Sequence, residues 1–455
     1  MPKIKKQKSR ALPLMCGLLP LLPLLLQLPA HAQVNAQVNV QANVQENTVS
    51  MQQYLAAVEN NSLDLQAQQE LIASAKAGIS IAGVRPDPQL TAGIDAKEMY
   101  GPNKPNTATT SIAGIAITLE TANKRGARIQ AAESNVRLAE AGVSAYRRQL
   151  LSDASNAFTE ACRSAMSLAR RDSSLNAMRD IVKMNETRFK TGDIGKQELV
   201  QSKVEADRFF MDVTSARADT INAEAQLSNF LGKSYQEIFA DRKLDCSYQQ
   251  DDVIADLATL TRQALEKRED IQVARSASEN AKDNIELARA NRWIDPVVNL
   301  GIKNTPRVNA IQNASGTVTN SPAERSSPLS LTVTIPIPFS RMQSGELSQA
   351  QSALTQAQLQ LRSTLMKAET EVRGSYLQYQ AALQNINNYK EHVLDDSDRL
   401  LQSVRTSYRK GAASMLELLN AQRNADEIYQ AYLQAEATLA IAKIKLQQST
   451  AYQMK

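Results

Sequence analysis

The sequence predicts a mainly α-helical chain with a small β part, in which one unit, a β-hairpin followed by a long coiled-coil helical hairpin, is used twice. Three observations predict it. Residues 188–208 (RFKTGDIGKQELVQSKVEADR) and 407–427 (SYRKGAASMLELLNAQRNADE) are copies at an offset of 219, sharing Gly192/Gly411, Glu198/Glu417, Leu199/Leu418, Ala206/Ala425 and Asp207/Asp426. Upstream, Asp87-Pro88 with Gly93-Ile94 is echoed by Asp295-Pro296 with Gly301-Ile302, at an offset of 208. Downstream of each of these echoes the apolar period changes from two to about 3.5, the signature of strand giving way to helix.

The chain begins with five basic residues (Lys3, Lys5, Lys6, Lys8, Arg10), an apolar run to Leu28 and then Ala30-His31-Ala32. That order is a secretory signal, expected over 1–32 with cleavage after Ala32. Pro13, Pro20 and Pro23 break the run and argue against a retained membrane helix. Cys16 invites a lipid anchor, but Met15 stands before it where a small residue is usual. Those five bases account for the whole excess of 52 Lys+Arg over 47 Asp+Glu, so the remainder is formally neutral and nothing favours nucleic acid. Residues 33–47 form a low-complexity leader.

The first repeat is expected over 48–231. A helix is predicted over Thr48–Gly83, ended by Pro86 and Pro88. Alternation then places Leu90, Ala92, Ile94 and Ala96 on one face of a strand, and Ala113, Ile115, Ile117 and Leu119 on one face of the next. This hairpin, about 88–119, has strands of roughly ten residues, the length that crosses a bilayer core when tilted. From Ala122 the step becomes three and four, and a helix runs to Lys190, roughly 100 Å at 1.5 Å per residue. Gly192 turns the chain, because glycine takes the left-handed conformation that ends a helix. Lys196–Leu231 returns. A patternless segment over 232–256 is read as a belt across the helices.

The second repeat, 257–455, follows the same plan: a helix over Leu257–Arg292, a hairpin about 296–336 with Leu329, Leu331, Val333 and Ile335 on one face, a helix to Arg409, a turn at Gly411 and a return to Gln448. Four strands cannot close a barrel, and unpaired edges in lipid are costly. Long helices with narrow alanine seams likewise cannot bury their own surfaces. A closed cyclic oligomer answers both demands. No Gly-rich phosphate loop, nucleophile elbow or metal cluster is present, so no cofactor and no enzyme activity are expected. Trp293 and Phe339 flank the strands as a candidate aromatic belt. His392 is a lone histidine on a charged helix.

This layout resembles the TolC-type outer-membrane factor (outer membrane efflux protein) family over nearly the whole chain after the signal. The resemblance implies a homotrimer: a twelve-stranded outer-membrane β-barrel continued by a periplasmic α-helical barrel, docked to a periplasmic adaptor and an RND-type inner-membrane pump. Within the family, Thr118-Leu-Glu-Thr-Ala-Asn-Lys-Arg125, and Ile335-Pro-Ile-Pro338 followed by Gly345-Glu346, resemble the CzcC-like heavy-metal efflux branch. A periplasmic adaptor would need compact β-domains around a single hairpin, and a coiled-coil surface fibre would not need amphipathic strands.

By that resemblance the tunnel closes beside the helical turns, with Glu417, Asn420, Tyr408 and Glu198 at the positions of the pore gate and Gly192 and Gly411 at the turns that dock the adaptor. Tyr408–Glu198 contacts would hold the end shut. A ring of Glu417 carboxylates would attract cations and, by crowding, raise its own pKa values as a coupled set. Ala413 stands where the family often has arginine. The alternative is that the two glutamates are solvated helix-face acids and Tyr408 plain packing. Cys162 falls in the long helix and Cys246 in the belt that the family places near mid-height; in an oxidising periplasm they either bond or remain two separate thiols.

Overall fold

The computed structural model describes residues 47–96, 109–247, 255–304, 311–312, 318–319, 327–337 and 344–451. Residues 1–46, which hold the expected signal and most of the expected leader, much of both strand-connecting loops and Phe339 therefore lie outside the described residues. Val49–Lys455 forms one unit by its contacts.

The chain is mainly helical. The first repeat contains helices α1 (Met51–Asn61), α2 (Leu63–Ala82), α3 (Lys124–Thr191) and α4 (Lys196–Leu231), with strands β1 (Gln89–Ala96) and β2 (Thr109–Thr118) between α2 and α3. A short helix α5 (Tyr235–Phe239) follows. The second repeat contains α6 (Leu257–Lys267), α7 (Glu269–Asn291), β3 (Val297–Asn304), β4 (Leu329–Thr334), α8 (Gly345–Asn388), α9 (Leu394–Arg409) and α10 (Met415–Thr450).

Two expectations are corrected here. The single helix predicted over Thr48–Gly83 is broken at Ser62, whose side chain caps α2 by accepting from the Leu65 N–H at 3.4 Å. The helix predicted over Leu257–Arg292 is broken at Arg268. That buried guanidinium is held by Asp270 and Glu371, each 2.7 Å away, and by the Ser449 carbonyl. Apolar periodicity continues through both breaks, so it hides them. The second long helix also differs from its continuous counterpart: Tyr389–Val393 is a π-helical turn between α8 and α9. A two-residue ladder, Ile311–Gln312 with Val318–Thr319, interrupts the loop before β4.

The main sheet is antiparallel in the order β1-β2-β3-β4, so the hairpins of the two repeats are joined through β2 and β3. Leu90 faces Ile115, Ile115 faces Leu300 and Leu300 faces Leu331, giving an apolar row across all four strands. All four side chains are exposed. The other face carries the row Thr91, Gly114, Gly301, Ser330. β1 and β4 each pair along one edge only among the described residues.

Sheet and helices meet at the TLETANKR segment. Ala122 and Asn123 both take φ 53°, a sharp corner between β2 and α3. Lys124, with its side chain 5% exposed, then bonds Asp295 Oδ2 at 2.5 Å and the Trp293 carbonyl at 2.6 Å, and the Thr121 N–H donates to Asp295 Oδ1 at 2.9 Å. The echoed Asp-Pro of the second repeat thus anchors the first repeat's helix start. Removing one member of such a buried pair costs more than the pair contributes, because the remaining charge stays desolvated.

Away from the sheet, α3 packs against α2, α4, α7 and α10, and α7 also packs on α8. Tyr54, Val58, Phe158, Leu227 and Leu231 fill one core. A second gathers Leu260, Val372, Ile386, Leu439 and Leu446, and a third, next to the turns, gathers Leu175, Met178, Phe209, Tyr408, Met415 and Leu418. Among the described residues no helix is long and apolar enough to cross a membrane.

Candidate functional site

The two helical turns are built alike. α3 ends at Gly192 (φ 81°), where Asp193 N–H donates to the Arg188 carbonyl and Gly192 N–H to that of Phe189. The same pair of bonds recurs at Gly411 (φ 76°), from Ala412 N–H to Ser407 O and from Gly411 N–H to Tyr408 O. This is the Schellman arrangement, and its left-handed residue explains why glycine stands at this point in both repeats.

The helices that leave the turns start differently. α10 has Ser414 at its N-cap; the hydroxyl accepts from the Glu417 N–H at 3.2 Å, and the Ser414 N–H donates back to Glu417 Oε2 at 2.6 Å. α4 has Gly195 at its N-cap, with no side chain to reciprocate. Glu198, the repeat equivalent of Glu417, instead accepts a hydrogen bond from Tyr408 across the two hairpins. The Tyr408 hydroxyl lies 2.8 Å from Glu198 Oε1 and 2.8 Å from Asn185 Oδ1. Tyr408 is 2% exposed and Asn185 fully buried, and the Arg188 guanidinium sits 5.4 Å from the Tyr408 ring centre. Burial, reinforced by the Glu198 carboxylate, pushes the Tyr408 hydroxyl up to about 12.

The structure therefore brings Tyr408 and Glu198 together and leaves Glu417 outside that contact. Glu417 and Asn420 are exposed. Within the chain the Ser414 N–H, and then its hydroxyl, hold the Glu417 carboxyl below the usual glutamate range. The Ser-x-x-Glu spacing of residues 414–417 is a capping-box signal that announces this role in the sequence.

Sequence reasoning missed several cross-hairpin partners. Asn185 completes the Tyr408 contact. Asp426 lies 3.5 Å from Arg170 and accepts from the Ser174 hydroxyl. Arg423 on α10 pairs with buried Glu205 on α4 through both carboxylate oxygens. The one available signal for the last pair is asymmetry between the repeats, since Val204 and Asn424 stand at the aligned positions. Cys162 and Cys246 form a disulfide, Sγ–Sγ 2.17 Å, that fastens the segment after α5 to α3. Among the described residues no group of three or more His, Cys, Asp and Glu is placed to hold a metal ion.

The sequence pattern of the outer membrane efflux protein family matches residues 53–233 and 260–451. The chain is 23% identical over 237 residues to the outer membrane protein TolC of Escherichia coli, a match covering 51% of this chain and 47% of that protein. TolC of Salmonella enteritidis is 21% identical over 263 residues, 57% of this chain and 52% of the relative. The match thus spans about half the length of these relatives. Among solved structures, CusC superposes with a TM-score of 0.70 at 18% identity, over 90% of this chain and 94% of that one. The Campylobacter jejuni CmeC outer membrane channel gives 0.70 at 14%, over 88% and 85%, and the outer-membrane channel OprN 0.69 at 16%, over 88% and 89%. These structures share the fold.

Proposed function

The chain belongs to the outer membrane efflux protein family, and from that premise we propose that it is a passive duct rather than a pump: three copies pool their strands into a twelve-stranded outer-membrane barrel and their helices into a periplasmic tunnel. On this reading it is a channel subunit and not an enzyme. One observation carries the proposal. The four-stranded sheet has an exposed apolar face, a face of small and polar residues, and two edges without partners among the described residues. In lipid such a sheet is viable only when a ring of copies closes it.

In this reading the helical turns point away from the barrel and form the gate, where Tyr408 and Glu198 hold the hairpins together and Glu417 and Asn420 line the narrow end. Gly192 and Gly411 shape the surface offered to an adaptor, which couples the duct to an RND-type inner-membrane pump. Metal cations are the proposed cargo, on the resemblance of the Thr118–Arg125 and Ile335–Pro338 segments to the heavy-metal branch and on the negative charge of a Glu417 ring. A drug or protein cargo is the competing reading within the same family.

Detergent-extracted protein is expected to be trimeric by native mass spectrometry and to conduct ions in planar bilayers; a monomer that does not conduct refutes the duct. A deletion strain is expected to be hypersensitive to metals. Hypersensitivity to dyes and antibiotics alone would assign the cargo to the drug class.

A further inference from the structure

We propose that the Arg423–Glu205 ion pair is a second lock between the helical hairpins and that it, more than the Tyr408 contact, sets how readily the duct opens. The inference rests on the reading of the turns as a gate. Arg423 Nε donates to Glu205 Oε1 at 2.7 Å while Nη2 pairs with Oε2. A planar guanidinium on both oxygens of one carboxylate fixes orientation as well as distance. Glu205 is seven residues after Glu198, so the two carboxylates lie on nearly the same face of α4, about 10 Å apart along its axis. Tyr408 belongs to α9 and Arg423 to α10. Both limbs of the second hairpin are thereby tied to one helix of the first, and a separation of the hairpins must break both contacts.

The two locks differ in strength for a physical reason. The Glu205 side chain is 6% exposed, against 41% for Arg423. Without the arginine, the closed arrangement would hold an uncompensated charge away from water, whereas an open arrangement would return it to solvent. Loss of Arg423 therefore penalises the closed state specifically. Glu198 is only partly buried, so loss of the tyrosine hydroxyl leaves its carboxylate with access to water and strands only the neutral amide oxygen of Asn185, a smaller cost than a stranded charge. The repeat supplies an internal contrast: Val204 and Asn424, aligned with Arg423 and Glu205, cannot form such a pair. The lock lies within one chain and has no counterpart at the aligned positions of the repeat.

The test is single-channel recording of the full-chain oligomer in planar bilayers. R423Q is expected to raise the open-to-closed ratio by about a hundredfold, more than Y408F does. The double variant E205Q/R423Q, which leaves no stranded carboxylate, is expected to open less than R423Q alone, and the exchange E205R/R423E to return toward wild type. Heat dissociation of the oligomer on a gel is expected to be unchanged in R423Q, because Arg423 lies in neither the sheet nor the core at the disulfide. The lock is overturned if wild type conducts and R423Q gates identically, if the double variant opens as much as R423Q, or if R423Q dissociates at a lower temperature. If neither wild type nor any variant conducts, the duct reading fails and the lock falls with it.

Discussion

Reduction of the Cys162–Cys246 disulfide is the perturbation whose magnitude can be worked most directly. The bond joins residues 84 apart. In the chain-entropy model, closing such a loop removes about 15 cal/mol/K from the unfolded chain, or about 4.6 kcal/mol at 25 °C. The other ties on the segment after α5 are weaker. Asp245 N–H donates to the Val49 carbonyl at 2.9 Å, and the Tyr235 hydroxyl donates to the Arg242 carbonyl at 3.2 Å, each contributing about 1 kcal/mol net. The cross-link thus outweighs both of these hydrogen bonds together. The assay is urea unfolding in detergent followed by far-UV circular dichroism, with and without a phosphine reductant. With a slope of about 3 kcal/mol per molar, the wild-type midpoint should fall by about 1.5 M on reduction. The variant lacking both sulfurs, Cys162→Ala with Cys246→Ala, should sit near the reduced value and ignore the reductant. Amide exchange at Asp245 should accelerate in both. A wild-type midpoint that moves by less than about 0.3 M, or a double variant that moves equally, refutes the reasoning.

Tyr408→Phe removes the hydroxyl that faces both Glu198 and the buried Asn185 oxygen and should destabilise the closed turn by about 1–2 kcal/mol, read as faster amide exchange in residues 185–199 and a higher open fraction. The neutral tyrosine is favoured in the fold, so its contribution is complete below the ordinary tyrosine value and is lost as pH rises from about 10 to about 12. Wild-type channels should open across that window while Tyr408→Phe shows no such step. Glu417 runs the other way: its carboxyl is held low by Ser414, so the cap is intact above the usual glutamate value and is lost as pH falls below it. Ser414→Ala should cost about 0.5–2 kcal/mol and remove that acid dependence from Glu417 amide exchange. Gly411→Ala, at φ 76°, should destabilise the second turn by about 1–2 kcal/mol, measured as a lower unfolding midpoint.

The repeat, the strand faces, the long helices and the two glycine turns were legible in the residues, because each is written in local spacing. A helix read over Lys196–Leu231 is a helix over Lys196–Leu231, since a three-four step needs no distant partner to be recognised. The breaks at Ser62 and Arg268 and the π turn at Tyr389–Val393 were hidden, because apolar faces can continue across a change of axis or pitch. Glu198 and Glu417 show the boundary most sharply. They are aligned, identical and equally placed after a turn, and a local difference, Gly195 against Ser414, decides which carboxylate is retained by its own helix.

By itself, the sequence determined which segments turn, which extend and which faces are apolar. Only the tertiary structure decided that Tyr408 meets Glu198, Arg423 meets Glu205, Lys124 meets Asp295 and Cys162 meets Cys246. The physical reason is range. Backbone propensity and amphipathic period act within a few residues of chain, whereas hydrogen bonds, ion pairs and disulfides act over a few ångströms of space, between groups here separated by 84 to 218 positions in the chain.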